Sequence, residues 1–239
     1  MSRTITLLLL VASVSGCGVE YELGADELVP WTEPVVSEAP IVDAEPRIRD
    51  LDVLVVLDGS GSMSDDREAV SRGIVQLKHD IEDRADVWGI TFLTADPAIP
   101  AYIGPFGPED SDADLKLAPG MLPVNGGERP FGAAYNFLRN HPNHIHPGRD
   151  LLLFVVTDED EQTTGISAEA FDDWLDSVKE GSEDRVDVVS IASIDETCSP
   201  DVAYKLMELA HIRNSTVVDL CSPDWEGWLA ETSFLTAWD

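Results

Sequence analysis

Apolar residues in this chain gather into short dense runs, separated by stretches in which they recur every three or four positions. Leu51–Leu57 is almost unbroken apolar sequence, the pattern of a parallel strand buried on both faces. Ser64, Asp65 and Asp66 follow with helix-start chemistry, and Val70, Ile74, Leu77 and Ile81 then recur at helical spacing. Val87–Leu93 reads as a second strand. The stretch from Thr94 to Gly127 is rich in Pro, Gly and Asp and long for a connection; it predicts a short edge strand near Ala101–Ile103 or Met121–Val124. Pro130–Arg139 reads as a helix with Pro in its first turn. Leu151–Val156 is a third buried strand, and Ala168–Val178 a helix with Phe171, Trp174, Leu175 and Val178 on one face. A strand at Val186–Ala192, a helix at Val202–Ile212, a strand at Thr216–Leu220 and a closing helix at Trp225–Trp238 complete the pattern. Strands alternating with helices of about 10–15 residues are βαβ units. The expected fold class is therefore α/β, a doubly wound, mostly parallel, Rossmann-like sheet with helices on both faces. Ligands of such sheets bind beyond the carboxyl ends of the strands.

Residues 1–49 do not share this pattern. Met1-Ser2-Arg3 carries one positive charge, the apolar run Ile5–Val14 follows, and Ser15 and Gly16 precede Cys17. A spanning helix needs about 20 apolar residues; this run is shorter and reads as a secretory signal. Val14-Ser15-Gly16-Cys17 resembles the bacterial lipobox, which implies removal of residues 1–16 and a diacylated, palmitate-type anchor on Cys17. By resemblance to enterobacterial sorting, Gly18 in place of Asp implies an outer membrane lipoprotein. The plainer alternative is an ordinary export signal in which Cys17 is incidental. Residues 17–49 place Pro30, Pro34, Pro40 and Pro46 among eight acidic residues from Glu20 to Glu45, with no Lys. Such sequence extends by self-repulsion and buries no core. It is an acidic, Pro-rich tether for a domain over residues 50–239, with a reach on the order of 100 Å if fully extended.

The charge is strongly one-sided, with 15 Lys+Arg against 46 Asp+Glu and a formal net charge of −31. A surface of that sign repels phosphate backbones and anionic lipid, so nucleic-acid binding is excluded as a general activity and membrane contact is left to the lipid on Cys17. Acidic surface of this kind serves solubility or feeds a cation site.

Directly after Leu57 stands Asp58-Gly59-Ser60-Gly61-Ser62-Met63, a sharp turn that projects one carboxylate and two hydroxyls from a strand end. Hard oxygen donors of this kind suit Mg²⁺, or Mn²⁺ and Ca²⁺, rather than zinc. The strand Leu153–Val156 ends likewise in Thr157-Asp158-Glu159-Asp160-Glu161. On these residues the sequence resembles the von Willebrand factor type A domain over about residues 50–239. The metal-ion-dependent adhesion site of that family is built on Asp-x-Ser-x-Ser, matched by Asp58, Ser60 and Ser62, with a later Asp matched by Asp158.

The chain departs from the family at one ligand. The usual Thr before the second main helix is replaced by Gly126-Gly127-Glu128-Arg129-Pro130-Phe131, which contains no hydroxyl. Glu128 is the natural substitute and would hold the ion more firmly while leaving it less able to polarise a ligand. Alternatively, Glu128 is a solvated loop residue paired with Arg129. The resemblance implies a membrane-anchored binding module that takes a carboxylate from a protein partner at the divalent cation. The acidic loops Ser64–Asp66, Asp96–Gly127 and Asp158–Gly165 favour a locally basic partner with one Glu or Asp. A second reading is a structural or assembly subunit of an envelope complex that uses the fold as a metal-independent docking face.

With Cys17 lipidated, Cys198 and Cys221 remain, each just past a predicted strand in an oxidising compartment; a disulfide between them is expected, with free thiols as the alternative. His141, His144 and His146 reach zinc-like density, yet they precede the Leu151 strand and lie at the end of the sheet away from Asp58. They read as a solvated loop, with a Zn²⁺ site as the less ordinary reading. No nucleophile stands beside a base and no phosphate-cradling Gly-Lys-Ser/Thr occurs, so no enzymatic activity is expected.

Overall fold

The computed structural model describes residues 49–180 and 184–230. The signal segment, Cys17, the tether through residue 48 and residues 231–238 of the expected closing helix lie outside the described residues. Among the described residues, no helix is long and apolar enough to cross a membrane.

Six strands form one sheet in the order β3-β2-β1-β4-β5-β6. They are β1 (Leu51–Leu57), β2 (Trp88–Thr94), β3 (Tyr102–Phe106), β4 (Asp150–Thr157), β5 (Val186–Ala192) and β6 (Thr216–Asp219). All pairings are parallel except the edge pair β2–β3. The helices are α1 (Ser64–Arg84), α2 (Asp112–Met121), α3 (Pro130–Asn140), α4 (Ala168–Val178), α5 (Tyr204–Arg213) and α6 (Trp225–Ala230).

Strand side chains alternate between faces, and this period divides the core into two. Leu51, Val53, Val55 and Leu57 of β1 pack with Val70, Ile74, Leu77 and Ile81 of α1, and with α2 and Trp225 of α6. Leu54 and Val56 point the other way, onto Phe131 and Phe137 of α3 and the apolar faces of α4 and α5. Phe131 and Phe171 stack across that second layer with ring centroids 4.2 Å apart. A sheet buried on both faces requires the interior of β1 and β4 to be apolar, as Val53–Leu57 and Leu151–Val156 are; the buried Asp52 near the start of β1 is paired with Arg149.

The long connection after β2 holds more structure than expected. The edge strand is Tyr102–Phe106, with Ile103 opposite Phe92, while Met121–Val124 forms no strand. Helix α2 occupies Asp112–Met121, capped by Ser111, whose hydroxyl accepts from the Asp114 N–H at 3.2 Å. Ser64 is the first residue of α1 but makes no capping hydrogen bond; Met63 stands at the cap.

Cys198 and Cys221 form a disulfide across the loops that follow β5 and β6. The loop it closes has a sequence separation of 23, which the chain-entropy account equates with about 3 kcal/mol. Replacing both cysteines by Ser is expected to lower the unfolding free energy by about that amount in urea denaturation; an unchanged midpoint and slope would show that the closed loop contributes nothing.

Candidate metal centre

The parallel register of β1 with β4 sets Leu57 opposite Val156. The next residues on each strand, Asp58 on one side and Thr157-Asp158 on the other, therefore leave the sheet at the same edge. The strand order branches here, with β2 on one side of β1 and β4 on the other, so a crevice opens between their carboxyl ends.

Asp58 is fully buried, and its carboxylate is held at both oxygens. Oδ1 accepts the Ser60 N–H at 2.7 Å, and Oδ2 accepts the Thr157 hydroxyl at 2.8 Å. The Ser60 and Ser62 hydroxyls lie 2.8 Å apart at the mouth of the turn. Gly59 is required because a Cβ there would collide with the Asn125 side chain, whose backbone N–H donates to the Gly59 carbonyl at 2.8 Å. Arg67, buried on α1, fastens the turn from beneath. Its guanidinium donates to the carbonyls of Asp58 (3.3 Å), Leu122 (3.1 Å) and Pro123 (3.3 Å), so it binds the end of β1 to the loop after α2.

Glu128 is 7% exposed and sits close enough to Asp58 and Asp158 to feel both charges. It is not the solvated partner of Arg129, which instead pairs with Asp96 at 2.5 Å. Gly127, next to Glu128, lies so close to the Asp96 side chain that a Cβ there would strike it.

The carboxylates in the crevice disfavour one another's charge. Burial, opposed by the Ser60 and Thr157 hydrogen bonds, raises the Asp58 carboxyl above its ordinary value. Burial and then Asp58 and Asp158 raise Glu128; burial and then Glu128 and Asp158 raise Glu159. Asp66, in the first turn of α1, is pushed up to about 6 by burial and then by Asp158 and Asp65. Among the described residues, none of Asp58, Asp66, Glu128, Asp158 and Glu159 forms an ion pair. Asp158 Oδ1 is buried with no hydrogen-bond partner. A buried carboxylate oxygen without a donor is costly, and a hard cation satisfies it.

The donor set fits such an ion. The carboxylates of Asp58, Asp158 and Glu128 do not all bring oxygens within 4.8 Å of one another; they and the Ser60 and Ser62 hydroxyls are all hard oxygen donors, the kind Mg²⁺ takes together with retained water. The one group of Cys, His, Asp or Glu atoms that close among the described residues is Cys198, Asp219 and Cys221, and its two sulfurs are joined to each other.

The histidine loop is at the opposite end of the sheet, as expected, but it is not freely solvated. His141 and His144 pack on Tyr102 with ring centroids 4.9 and 5.3 Å away and on Phe137 at 4.9 and 5.1 Å. His146 Nδ1 lies 3.0 Å from Asp52 Oδ1, beside Arg149. Apolar packing and one carboxylate already occupy these rings, and they converge on no common metal position.

A branched parallel sheet with clustered oxygen donors at its crevice defines an α/β domain with a cation-type site. Comparison with known structures makes the fold specific: it is that of the von Willebrand factor type A domain. A von Willebrand factor type A structure from Catenulispora acidiphila is 17% identical, with a TM-score of 0.52 over 77% of this chain and 43% of that one. Proximal thread matrix protein 1 from the mussel byssus is 15% identical, with a TM-score of 0.54 over 79% of this chain and 46% of that one. The chain thus spans about half the length of the structures it matches. No protein-family model and no curated sequence matches it.

Because Asp58, Asp66, Glu128 and Glu159 titrate higher in the folded state than in the unfolded chain, they bind extra protons when folded. Their contribution favours folding at low pH and is lost as pH rises from the ordinary carboxylate range through the Asp66 value of about 6. Thermal midpoints measured with Mg²⁺ and with EDTA at matched ionic strength are expected to diverge between pH 5 and pH 7.5, the Mg²⁺ advantage growing as the carboxyls ionise. A gap that stays constant or narrows with rising pH would contradict this electrostatic account.

Proposed function

We propose that the chain is a membrane-anchored binding module that engages a protein ligand through a divalent cation at the carboxyl end of the sheet. Asp58, Ser60, Ser62, Glu128 and Asp158 are its ligand set, with Mg²⁺ the best match and Mn²⁺ or Ca²⁺ the alternatives. The observation that carries this reading is the group of buried carboxylates without a counter-cation, among them an Asp158 oxygen that has no donor. When bound, the ion supplies an electrophilic position for a carboxylate oxygen of the partner. Ser60 and Ser62 contribute neutral oxygens and preserve the ion's charge, whereas Glu128 offsets part of it.

The anchor rests on the N-terminal sequence: a signal over residues 1–16, a lipid on Cys17 and the acidic tether, which together point to an outer membrane lipoprotein facing the periplasm or the cell surface. The module is a binder rather than an enzyme. The Ser60 hydroxyl lies against Ser62 at 2.8 Å, and the histidine loop stands at the far end of the sheet. The absence of a hydroxyl in the turn before α3 supports the second reading, a metal-independent docking face in an envelope assembly.

Calorimetric titration of the full chain with Mg²⁺, Mn²⁺ and Ca²⁺ separates the two. Saturable uptake is expected, abolished by Asp58→Ala and weakened about tenfold by Glu128→Gln, which removes one charged donor. No uptake by the wild-type chain at millimolar ion would sink the cation reading and leave the docking face.

A further inference from the structure

One flank of the proposed centre differs from the rest. Between the start of α1 and α2 lies a cavity of about 640 Å³, lined by Ser60, Gly61 and Ser64 of the metal-site turn and by Lys116, Leu117 and Val124. Leu117 is 62% exposed, Met121 68% and Val124 75%, so the apolar surface continues beyond the cavity itself. A volume in the range of about 300–1,000 Å³ with mainly apolar lining is typical of a ligand site, and a contiguous exposed apolar patch marks an interaction surface. A small molecule confined to the cavity would leave Met121 and the outer faces of Leu117 and Val124 in water. A polypeptide would cover them.

Charge favours the same approach. On its other sides the centre is bordered by Asp65 and Asp66 at the start of α1 and by Glu159 after β4, while Asp96 is already paired with Arg129. The cavity side carries Lys116, which has no ion pair among the described residues, and the buried Arg67, whose hydrogen bonds go to backbone carbonyls rather than to a carboxylate. Glu68, the acid in the lining, pairs with Arg72 at 3.2 Å. An incoming carboxylate thus meets Lys116 along this groove and the carboxylates of Asp66 and Glu159, which have no ion pair among the described residues, on the α1 and β4 sides.

We propose that the groove between α1 and α2 docks an extended partner segment whose Asp or Glu reaches the cation while a large aliphatic or aromatic side chain close to it in sequence fills the space beside Leu117 and Val124. This rests on the cation reading above. Side chains two apart on an extended segment share one side at a spacing of about 7 Å, and Ser60 and Ser64 belong to both the groove and the metal-site turn, so one short segment serves both. Lys116 steers the carboxylate inward.

The test is an array of acetylated, amidated hexapeptides with a central Glu or Asp and varied flanking positions, probed with the labelled full chain in Mg²⁺ and in EDTA. Peptides bound only in Mg²⁺ should be enriched in Leu, Ile, Met, Phe or Trp within two residues of the carboxylate. Leu117→Gln combined with Val124→Gln should weaken those peptides about tenfold with an unchanged thermal midpoint and an unchanged Mg²⁺ titration, since both side chains are exposed. Lys116→Glu should weaken them more at low than at high salt. The proposal falls if bound peptides show no apolar preference, if the double variant leaves that preference intact, or if a chain that takes up Mg²⁺ binds nothing on the array. A chain that takes up no Mg²⁺ fails the underlying reading, and the proposal with it.

Discussion

Parallel pairing of β1 with β4 forces carboxylates together at one end of the sheet, and no basic side chain among the described residues pairs with them there. Asp58 leaves β1 level with Thr157 of β4 and Asp158 follows one residue on, Glu128 lies in the loop before α3, and Asp66 and Glu159 both feel the Asp158 charge. Burying one such charge is expensive, and burying several without compensation is more so. The buried Arg67 relieves this only in part: it feels the Asp58 charge, but its guanidinium hydrogen bonds go to the carbonyls of Asp58, Leu122 and Pro123. It fixes the shape of the turn and forms no ion pair with the carboxylates. A divalent ion resolves the conflict in a way that side chains here do not.

The same arrangement gives the chain's negative charge a local meaning. Spread over a surface, a net charge of −31 serves solubility; concentrated at a strand-end crevice, it draws cations and turns away acidic partners. The groove beside α2 interrupts this field with Lys116 and exposed Leu117 and Val124. Site and groove share the Ser60–Ser64 turn, so ion capture and partner selection would act on the same few residues. The disulfide between the loops after β5 and β6 braces another part of this rim.

Much of this was legible in the sequence because strands buried on both faces write unbroken apolar runs, as β1 and β4 do. Asp58, Ser60, Ser62 and Asp158 stand out as candidate ligands because each sits just past such a run. Helix α2 was not expected, since Pro119 and Gly120 stand inside and near its end and suggest a loop; tertiary packing of Leu115 and Ala118 against α1 overrides them. The burial of Glu128 was undecidable from sequence, because it depends on the fold around the loop that carries it. Arg67 gave no signal at all: an Arg in a helical stretch reads as surface, and its three carbonyl partners are fixed only by the fold. The histidine loop is legible only in part: Pro142, Pro147 and Gly148 are exposed as their types indicate, but the packing of Tyr102 and Phe137 on the His141 ring is set by the fold.

A divalent cation in the crevice between β1 and β4 would be visible in crystals of the chain grown with Mn²⁺ and measured at the manganese absorption edge. One strong anomalous peak is expected among Asp58, Ser60, Ser62 and Asp158. No peak there under saturating Mn²⁺, or a peak confined to Asp219 or to the His141–His146 loop, would contradict the cation reading.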